Sequence, residues 1–129
     1  MLDHLAIDVS DLDRSRGFYA AALAPLGYRV MKDGAAAVGF GRPDGPGRSI
    51  DPGGSFWISQ GEPRPAAVHF AFVAVSRDVV DAFFEAALAA GGTDNGGPGL
   101  RPRYHANYYA AFVLDPDGFN IEAVCHLEV

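Results

Sequence analysis

The strongest constraint on the fold of this chain is an internal repeat. Shifting the 129-residue sequence by 65 positions places HLAIDVSDLDRSRGFYAAALAPLG (4–27) over HFAFVAVSRDVVDAFFEAALAAGG (69–92) without a gap. Nine of the 24 aligned positions are identical, and four of the nine are alanines, which carry little weight in an alanine-rich chain. The other five pairs are His4 with His69, Asp13 with Asp78, Phe18 with Phe83, Leu23 with Leu88 and Gly27 with Gly92. The sequence therefore predicts two copies of one structural unit.

Each copy begins with an apolar strand and continues into an amphipathic helix. Residues 2–9 and 67–75 are short apolar runs bounded by turn or cap residues, which is typical of strands. Ser10 or Asp11 can cap the first helix and Ser76 the second, because their side-chain oxygens can accept hydrogen bonds from the first turn. Apolar residues then recur at helical spacing until glycines end both helices.

Shorter strands complete both copies. They are predicted at residues 28–32, 35–41, 55–59, 108–114 and 119–127. The Gly- and Pro-rich segment 42–54 is predicted to be a mobile loop, and residues 93–107 are mostly loop with room for one more strand. The expected fold class is α+β, with two βαβββ modules, 1–60 and 66–129, in a single domain.

Strand alternation places three potential metal ligands on faces turned away from the helices. His4 and His69 occupy equivalent positions in the first strand of each copy. Glu122 lies on the last strand. The equivalent position in the first copy, 65 residues earlier, is Trp57, which is not a ligand. Two imidazoles and one carboxylate are the ligands of facial iron sites and of catalytic zinc sites. We therefore predict a divalent metal site formed by His4, His69 and Glu122.

The alternative is purely structural. Each histidine could be a satisfied core residue, and Glu122 a surface carboxylate at the end of a sheet. For any one of the three residues alone, that interpretation is the better one. Their combination at repeat-related strand positions favours the metal site.

Composition limits the partners and the location. The net charge of −6 and the absence of a cluster of basic residues argue against nucleic acid. The longest apolar run, 66–75, is too short to span a membrane. The sequence begins without the features of a secretory signal and has one cysteine, Cys125, so a reducing cytoplasm is the expected location.

The repeat, the H-x-A-[IF] strands and the LDPDGFNIE segment together resemble the vicinal oxygen chelate superfamily over essentially the whole chain. This superfamily includes glyoxalases, extradiol dioxygenases, fosfomycin thiol transferases and bleomycin-binding proteins. The resemblance implies a glyoxalase-like fold, in which paired modules form an open, cup-shaped mixed sheet with the helices outside. It also implies metal ligands on the first strand of each module and on a late strand, where His4, His69 and Glu122 stand.

Departures from the better-known members narrow the choice of activity. Glyoxalase I takes a fourth ligand from a strand that here reads Ser55-Phe56-Trp57-Ile58-Ser59, and it places an arginine where this chain has Asp8. The fosfomycin transferases share the two-histidine, one-glutamate set, but their phosphonate-binding side chains would fall near residues 102–112, where several positions lack charge and hydroxyl groups. Extradiol dioxygenases use the same triad with iron, in chains with twice as many modules. Bleomycin-binding members lack the ligands.

Several further residues are candidates for contact with a substrate. Glu122, His126 and Asp8 are the candidate catalytic groups, although His126 could be a terminal surface residue and Asp8 could pair with an arginine. The segment 101–109 is rich in donors and aromatic rings, as substrate-binding loops often are, although a merely exposed loop is an equal alternative. The candidate substrate-binding residues are Trp57, Arg103, Tyr104, His105, Tyr108, Phe112 and Asn120.

The leading functional hypothesis is an enzyme that chelates a small oxygen-bearing organic molecule on one divalent metal per site, either iron, manganese, zinc or nickel. Its chemistry would be that of a lyase or isomerase, or of a dioxygenase if the metal is iron. The alternatives are a small-molecule-sequestering protein of the same fold, a fosfomycin-type thiol transferase and a structural dimer with incidental histidines. A homodimer is expected because open sheet edges call for cover, and the metal site can be completed across chains.

Overall fold

The repeat is visible in the order of the elements. The computed structural model describes residues 2–128. The strands and helices are β1 (Leu5–Val9), α1 (Leu12–Leu23), β2 (Arg29–Asp33), β3 (Ala37–Gly41), β4 (Phe56–Gln60), β5 (His69–Val73), α2 (Arg77–Ala89), β6 (Thr93–Asp94), β7 (Gly99–Leu100), β8 (Tyr109–Leu114) and β9 (Asn120–Cys125). The strand that follows the helix in the second module thus consists of two short pieces, β6 and β7, in the glycine-rich segment that was predicted to be mostly loop.

Both helices begin at side-chain caps. The carboxylate of Asp11 accepts from the backbone N–H of Arg14 at 3.1 Å, so Asp11 rather than Ser10 caps α1. The hydroxyl of Ser76 accepts from the N–H of Val79 at 3.3 Å and caps α2. Gly27 follows α1 and its 3₁₀ turn with a φ of 84°, a conformation that favours glycine. Within residues 2–128, no helix has the length and apolar character needed to cross a membrane.

Backbone pairing in residues 2–128 forms two mixed sheets, one from each module. Their strand orders are β1-β4-β3-β2 and β5-β9-β8-β6, with β7 also paired to β8. Each sheet has one parallel pair, β1 with β4 and β5 with β9. Ala6 lies opposite Trp57, and Ala71 lies opposite Glu122, so the 65-residue repeat holds in the register of the strands. The predicted α+β class with paired modules is confirmed.

The two modules share one hydrophobic core. In β1, Ile7 and Val9 are buried against the helices, while Ala6 and Asp8 are exposed, as strand alternation predicts. Phe56 of β4 joins the modules, because its ring packs on that of Tyr19 at 4.9 Å and on those of Phe70 and Phe72 at 5.3 and 5.5 Å. Aromatic pairs at these separations stabilise a core beyond the area they bury.

The β8–β9 turn is bound to the first helix. Asp115 accepts a hydrogen bond from the hydroxyl of the fully buried Tyr19 at 2.5 Å. Asp117 accepts from the backbone N–H of Ser10 and from the guanidinium of Arg14, each at 3.0 Å. Burial raises the pKa of Tyr19 well above its usual value of 10, and the negative charge and hydrogen bond of Asp115 raise it further. Burial also raises the pKa of Asp115.

The Tyr19–Asp115 bond predicts a loss of stability in alkali. Because folding raises the pKa of Tyr19, the protonated phenol contributes to the stability of the folded state below pH 10. This contribution is lost as the pH rises from 10 toward the pKa in the folded state. We expect Tyr19→Phe to cost about 1–3 kcal/mol at pH 7, since it leaves a buried carboxylate oxygen of Asp115 without its donor. Above pH 10 the free energy of unfolding of the wild-type protein should fall by about 1.4 kcal/mol per pH unit more than that of the variant. This is the slope expected for the loss of one proton.

Urea unfolding at pH 7, 10 and 11 measures both effects. Tyr104→Phe is the matched control, because Tyr104 is about half exposed and lies outside this contact. An equally steep alkaline loss of stability in Tyr19→Phe would contradict the role given to this bond.

Candidate functional site

Two of the predicted ligands meet on the face of the second sheet that is turned away from the helices. His69 begins β5 and Glu122 lies on β9, in adjacent parallel strands with both side chains on the same face. Nε2 of His69 lies 3.0 Å from Oε1 of Glu122. The side chain of His69 is 46% exposed and that of Glu122 only 3% exposed, so the carboxylate is buried while the imidazole can still be reached from solvent.

The hydrogen bonding of His69 places the lone pair of its Nε2 atom opposite Oε1 of Glu122, so that two acceptors face each other. Its Nδ1 lies 2.9 Å from the backbone carbonyl oxygen of Asn120, which can only accept, so Nδ1 carries the hydrogen. In the neutral imidazole, Nε2 then presents a lone pair to the carboxylate of Glu122. Either a second proton on the ring or a cation between the two atoms relieves this repulsion. A histidine that binds a metal through one nitrogen and donates from the other to a carbonyl has this arrangement, so the donor pair fits a metal.

Tyr108 provides a hydrogen bond to the other oxygen of the buried carboxylate. Its hydroxyl donates to Oε2 of Glu122. Burial and this hydrogen bond raise the pKa of Tyr108 to about 12, against a smaller opposing effect from the positive charge of Arg101. The phenol therefore keeps its proton at neutral pH and holds Glu122 in one orientation.

A cluster of aromatic rings and histidines surrounds Tyr108. The rings of Tyr104, His105 and His126 lie 4.8, 5.4 and 5.3 Å from it. Nδ1 of His105 accepts from the backbone N–H of Asn107 at 3.1 Å, so its Nε2–H donates to Nδ1 of His126 at 2.9 Å. Arg103 donates to the hydroxyl of Tyr104 at 3.1 Å. The segment 101–109 and His126 thus converge beside Glu122.

Phe112 and Asn120 border His69 directly. The ring of Phe112, opposite Glu122 in β8, stacks on the imidazole at a centroid distance of 6.1 Å and an angle of 29°. Asn120 contributes its backbone oxygen to His69, and its side-chain oxygen accepts from Asn95 at 3.2 Å.

Sequence reasoning did not select Arg101 or Asn95, although both belong to this region. The guanidinium of Arg101 lies over the Phe112 ring at 5.3 Å. Its proximity depends on the path of a glycine-rich loop, which local pattern does not predict. In the sequence, only the position of Arg101 at the start of the donor-rich segment 101–109 indicated a functional role for it.

The candidates from the first module lie elsewhere in the same chain. His4 precedes β1 at the outer edge of the other sheet, and its Nδ1 lies 2.7 Å from Asp3. Asp8 lines a small cleft of about 160 Å³ with Glu62 and Arg64. Trp57 borders a different cleft, and its Nε1 donates to the backbone oxygen of Gly54 at 3.1 Å.

The predicted three-ligand centre is therefore not assembled within one chain. Across residues 2–128, no group of three histidine, cysteine, aspartate or glutamate side chains is close enough to hold a metal. His4 precedes β1 of the first sheet, and the packing of the two sheets does not combine it with the pair His69–Glu122 of the second. Of the three ligands, one chain brings together only His69 and Glu122.

Comparison with known proteins agrees with this fold. The sequence profile of the glyoxalase/bleomycin resistance protein/dioxygenase superfamily matches residues 1–123. A glyoxalase/bleomycin resistance protein from Albidiferax ferrireducens T118 is 29% identical, with a TM-score of 0.78 over 97% of this chain and 98% of that one. A family enzyme from Burkholderia phytofirmans PsJN is 18% identical, with a TM-score of 0.72 over 98% of each chain. A search of curated proteins gave no match.

Proposed function

The chain belongs to the glyoxalase/bleomycin resistance protein/dioxygenase superfamily, and on that premise we propose that it is a metal-dependent enzyme. It binds a small oxygen-bearing organic molecule by chelation at His69 and Glu122. The observation that supports this most is the approach of Nε2 of His69 to Oε1 of Glu122 at 3.0 Å while Nδ1 is already bonded to a carbonyl. Such a pair of facing acceptors is suited to a cation.

The chemistry follows from the surroundings of the pair. A divalent metal there supplies a Lewis acid that stabilises negative charge developing on a substrate oxygen. Tyr108 keeps a proton on its phenol oxygen and orients Glu122 through it. His126, whose Nδ1 accepts from His105, presents its Nε2–H beside Tyr108 as a hydrogen-bond donor for a substrate oxygen. Phe112 provides an apolar wall against which a substrate can lie beside His69.

We propose that a second copy of the chain supplies the third ligand. β1 and β5 are edge strands of their sheets, and edges of this kind call for cover. Apolar side chains around them are exposed, with Leu2 at 78%, Val73 at 69% and Val75 at 59%. His4 is 55% exposed at the start of the β1 edge and is thus available to a partner. A symmetric homodimer would create two such sites.

Subunit mixing tests this arrangement. His4→Gln and His69→Gln should each lose metal binding, because each removes one ligand from every site. If the ligands come from two chains, each mixed dimer combines an intact His4 with an intact His69 in one of its two sites. Denaturing and refolding an equal mixture should therefore restore about a quarter of the wild-type zinc binding, the value for random pairing.

Calorimetric titration with zinc of tag-free protein measures the restored sites, and each variant refolded alone is the control. No restoration in a mixture that contains dimers would contradict completion across chains. A monomer at micromolar concentration by light scattering would contradict the dimer itself.

One observation favours a second function, the binding or sequestering of a small molecule without chemistry. A cavity of about 510 Å³ lies between the start of β1 and strand β5, and aromatic side chains, including Tyr28, Phe56, Phe70 and Phe72, contribute to its lining. Its size suits a small organic ligand. This function replaces the enzyme if the wild-type protein holds no metal under any condition but binds apolar molecules there.

A further inference from the structure

Two backbone carbonyl oxygens hold the guanidinium of Arg101 in place. Its Nη1 and Nη2 atoms donate to the backbone oxygens of Gly99 and Gly97, each at 2.8 Å. A Cβ at Gly96 would meet both Nη2 of Arg101 and the Phe112 ring at 3.3 Å, so the glycine-rich loop closes tightly around the guanidinium. A side chain fixed in this way has already lost much of the rotamer freedom that binding would otherwise remove.

Among the described residues, no carboxylate forms an ion pair with Arg101. The ion pairs within 4.0 Å in residues 2–128 involve Arg14, Arg16 and two histidines, and Arg101 takes part in none of them. A guanidinium has five N–H donors, and the two carbonyls use two of them. In a chain with a net charge of −6, this is an ordered cation with donors left for an anion.

Arg101 belongs to the same surface as His69 and Glu122. Its guanidinium packs on Phe112 at 5.3 Å, and the same ring stacks on His69 at 6.1 Å. The backbone N–H of Arg101 also donates to the backbone oxygen of Tyr108 at 2.7 Å, and the hydroxyl of Tyr108 donates to Glu122. The ring of Phe112 therefore contacts both the guanidinium of Arg101 and the imidazole of the proposed metal ligand His69.

We propose that Arg101 binds a carboxylate of the substrate, and that this carboxylate is separated from the chelating oxygens by an apolar segment lying on Phe112. The substrate class is then an organic acid with a pair of neighbouring oxygens several bonds from its carboxylate. This inference rests on the proposed function, which provides the place where the oxygens bind. A carboxylate suits the planar fork of the guanidinium, which can donate two parallel hydrogen bonds to it.

Two probes that differ only in charge test the proposal. The first is 4-carboxybenzohydroxamate, whose hydroxamate oxygens chelate metals and whose carboxylate lies across a benzene ring. The second is its uncharged 4-carbamoyl analogue. By calorimetry with the zinc-loaded protein, we expect the wild type to bind the acid about tenfold or more tightly than the amide, as a charge-assisted hydrogen bond implies.

Three variants assign that preference to one residue. Arg101→Gln should bring the ratio of the two affinities close to one, whereas Arg101→Lys, which keeps the charge, should retain part of it. Arg29→Gln is the matched control, because Arg29 is an exposed arginine on β2 in the other sheet. It should leave the ratio unchanged.

The two proposals fail in different ways. Whether the two probes bind only when zinc is present tests the metal site at His69 and Glu122. The ratio between the probes reports on Arg101. Binding that requires zinc but does not distinguish the acid from the amide overturns the role of Arg101 alone, as does a ratio that survives in Arg101→Gln. Binding unaffected by zinc overturns the proposed function.

Discussion

Replacing Glu122 with glutamine should remove most metal binding and all metal-dependent activity while the protein stays folded. An amide oxygen is neutral and a poorer ligand for a dication, whereas the side-chain volume is unchanged. Loss of an outer partner of a metal ligand typically costs about 10–100-fold in affinity, so loss of an anionic ligand should cost more. The fold should survive because the amide oxygen can still accept from Tyr108, and the amide N–H can donate to Nε2 of His69.

Trp57→Phe is the matched control for that experiment. Trp57 occupies the position equivalent to Glu122 in the first module, opposite Ala6 as Glu122 is opposite Ala71. Its indole has no lone pair for a metal. Zinc titration and metal analysis should therefore show wild-type affinity in Trp57→Phe, with any change confined to the binding of organic ligands. If both variants lost metal to the same extent, the assignment of Glu122 as a ligand would be wrong.

The largest effect on stability should come from Phe56→Ala. Phe56 is 2% exposed, and its ring touches aromatic rings from both modules. Replacing a buried phenylalanine with alanine removes transfer free energy and leaves a cavity, which together cost about 3–5 kcal/mol. For a domain of this size we expect the melting temperature to fall by about 10–20 °C.

Phe84→Ala provides the comparison for Phe56→Ala. Phe84 is only partly buried, on the second helix at the margin of the core, so its removal should cost clearly less. Thermal unfolding followed by circular dichroism measures both variants. Equal losses would show that Phe56 makes no special connection between the modules.

Local pattern was enough to predict most of the elements and the shared sheet face of His69 and Glu122. Strand alternation is a property of the backbone, so the face occupied by each side chain followed from its position in the strand. The repeat then related Glu122 to Trp57, and the observed register agrees with that relation. These inferences needed no knowledge of how the modules pack.

The relation between the modules could not be predicted in the same way. It depends on contacts between residues far apart in sequence, such as Phe56 with Phe70 and Phe72, and the resulting packing forms no three-ligand group among residues 2–128. Arg101 was overlooked for a similar reason. Its orientation depends on the carbonyls of Gly97 and Gly99, and glycine-rich segments leave no periodic pattern to read.

The contact of the β8–β9 turn with the first helix has a consequence for how the chain is made. Synthesis proceeds from the N-terminus, so α1 is complete long before its partners Asp115 and Asp117 exist. Until those residues emerge, the hydroxyl of Tyr19 and the guanidinium of Arg14 lack the acceptors they have in the finished protein. Contacts of such long sequence separation close late and slow folding. The first module should therefore remain a loosely ordered nascent segment on the ribosome, and become native only when the last strands of the second module are released.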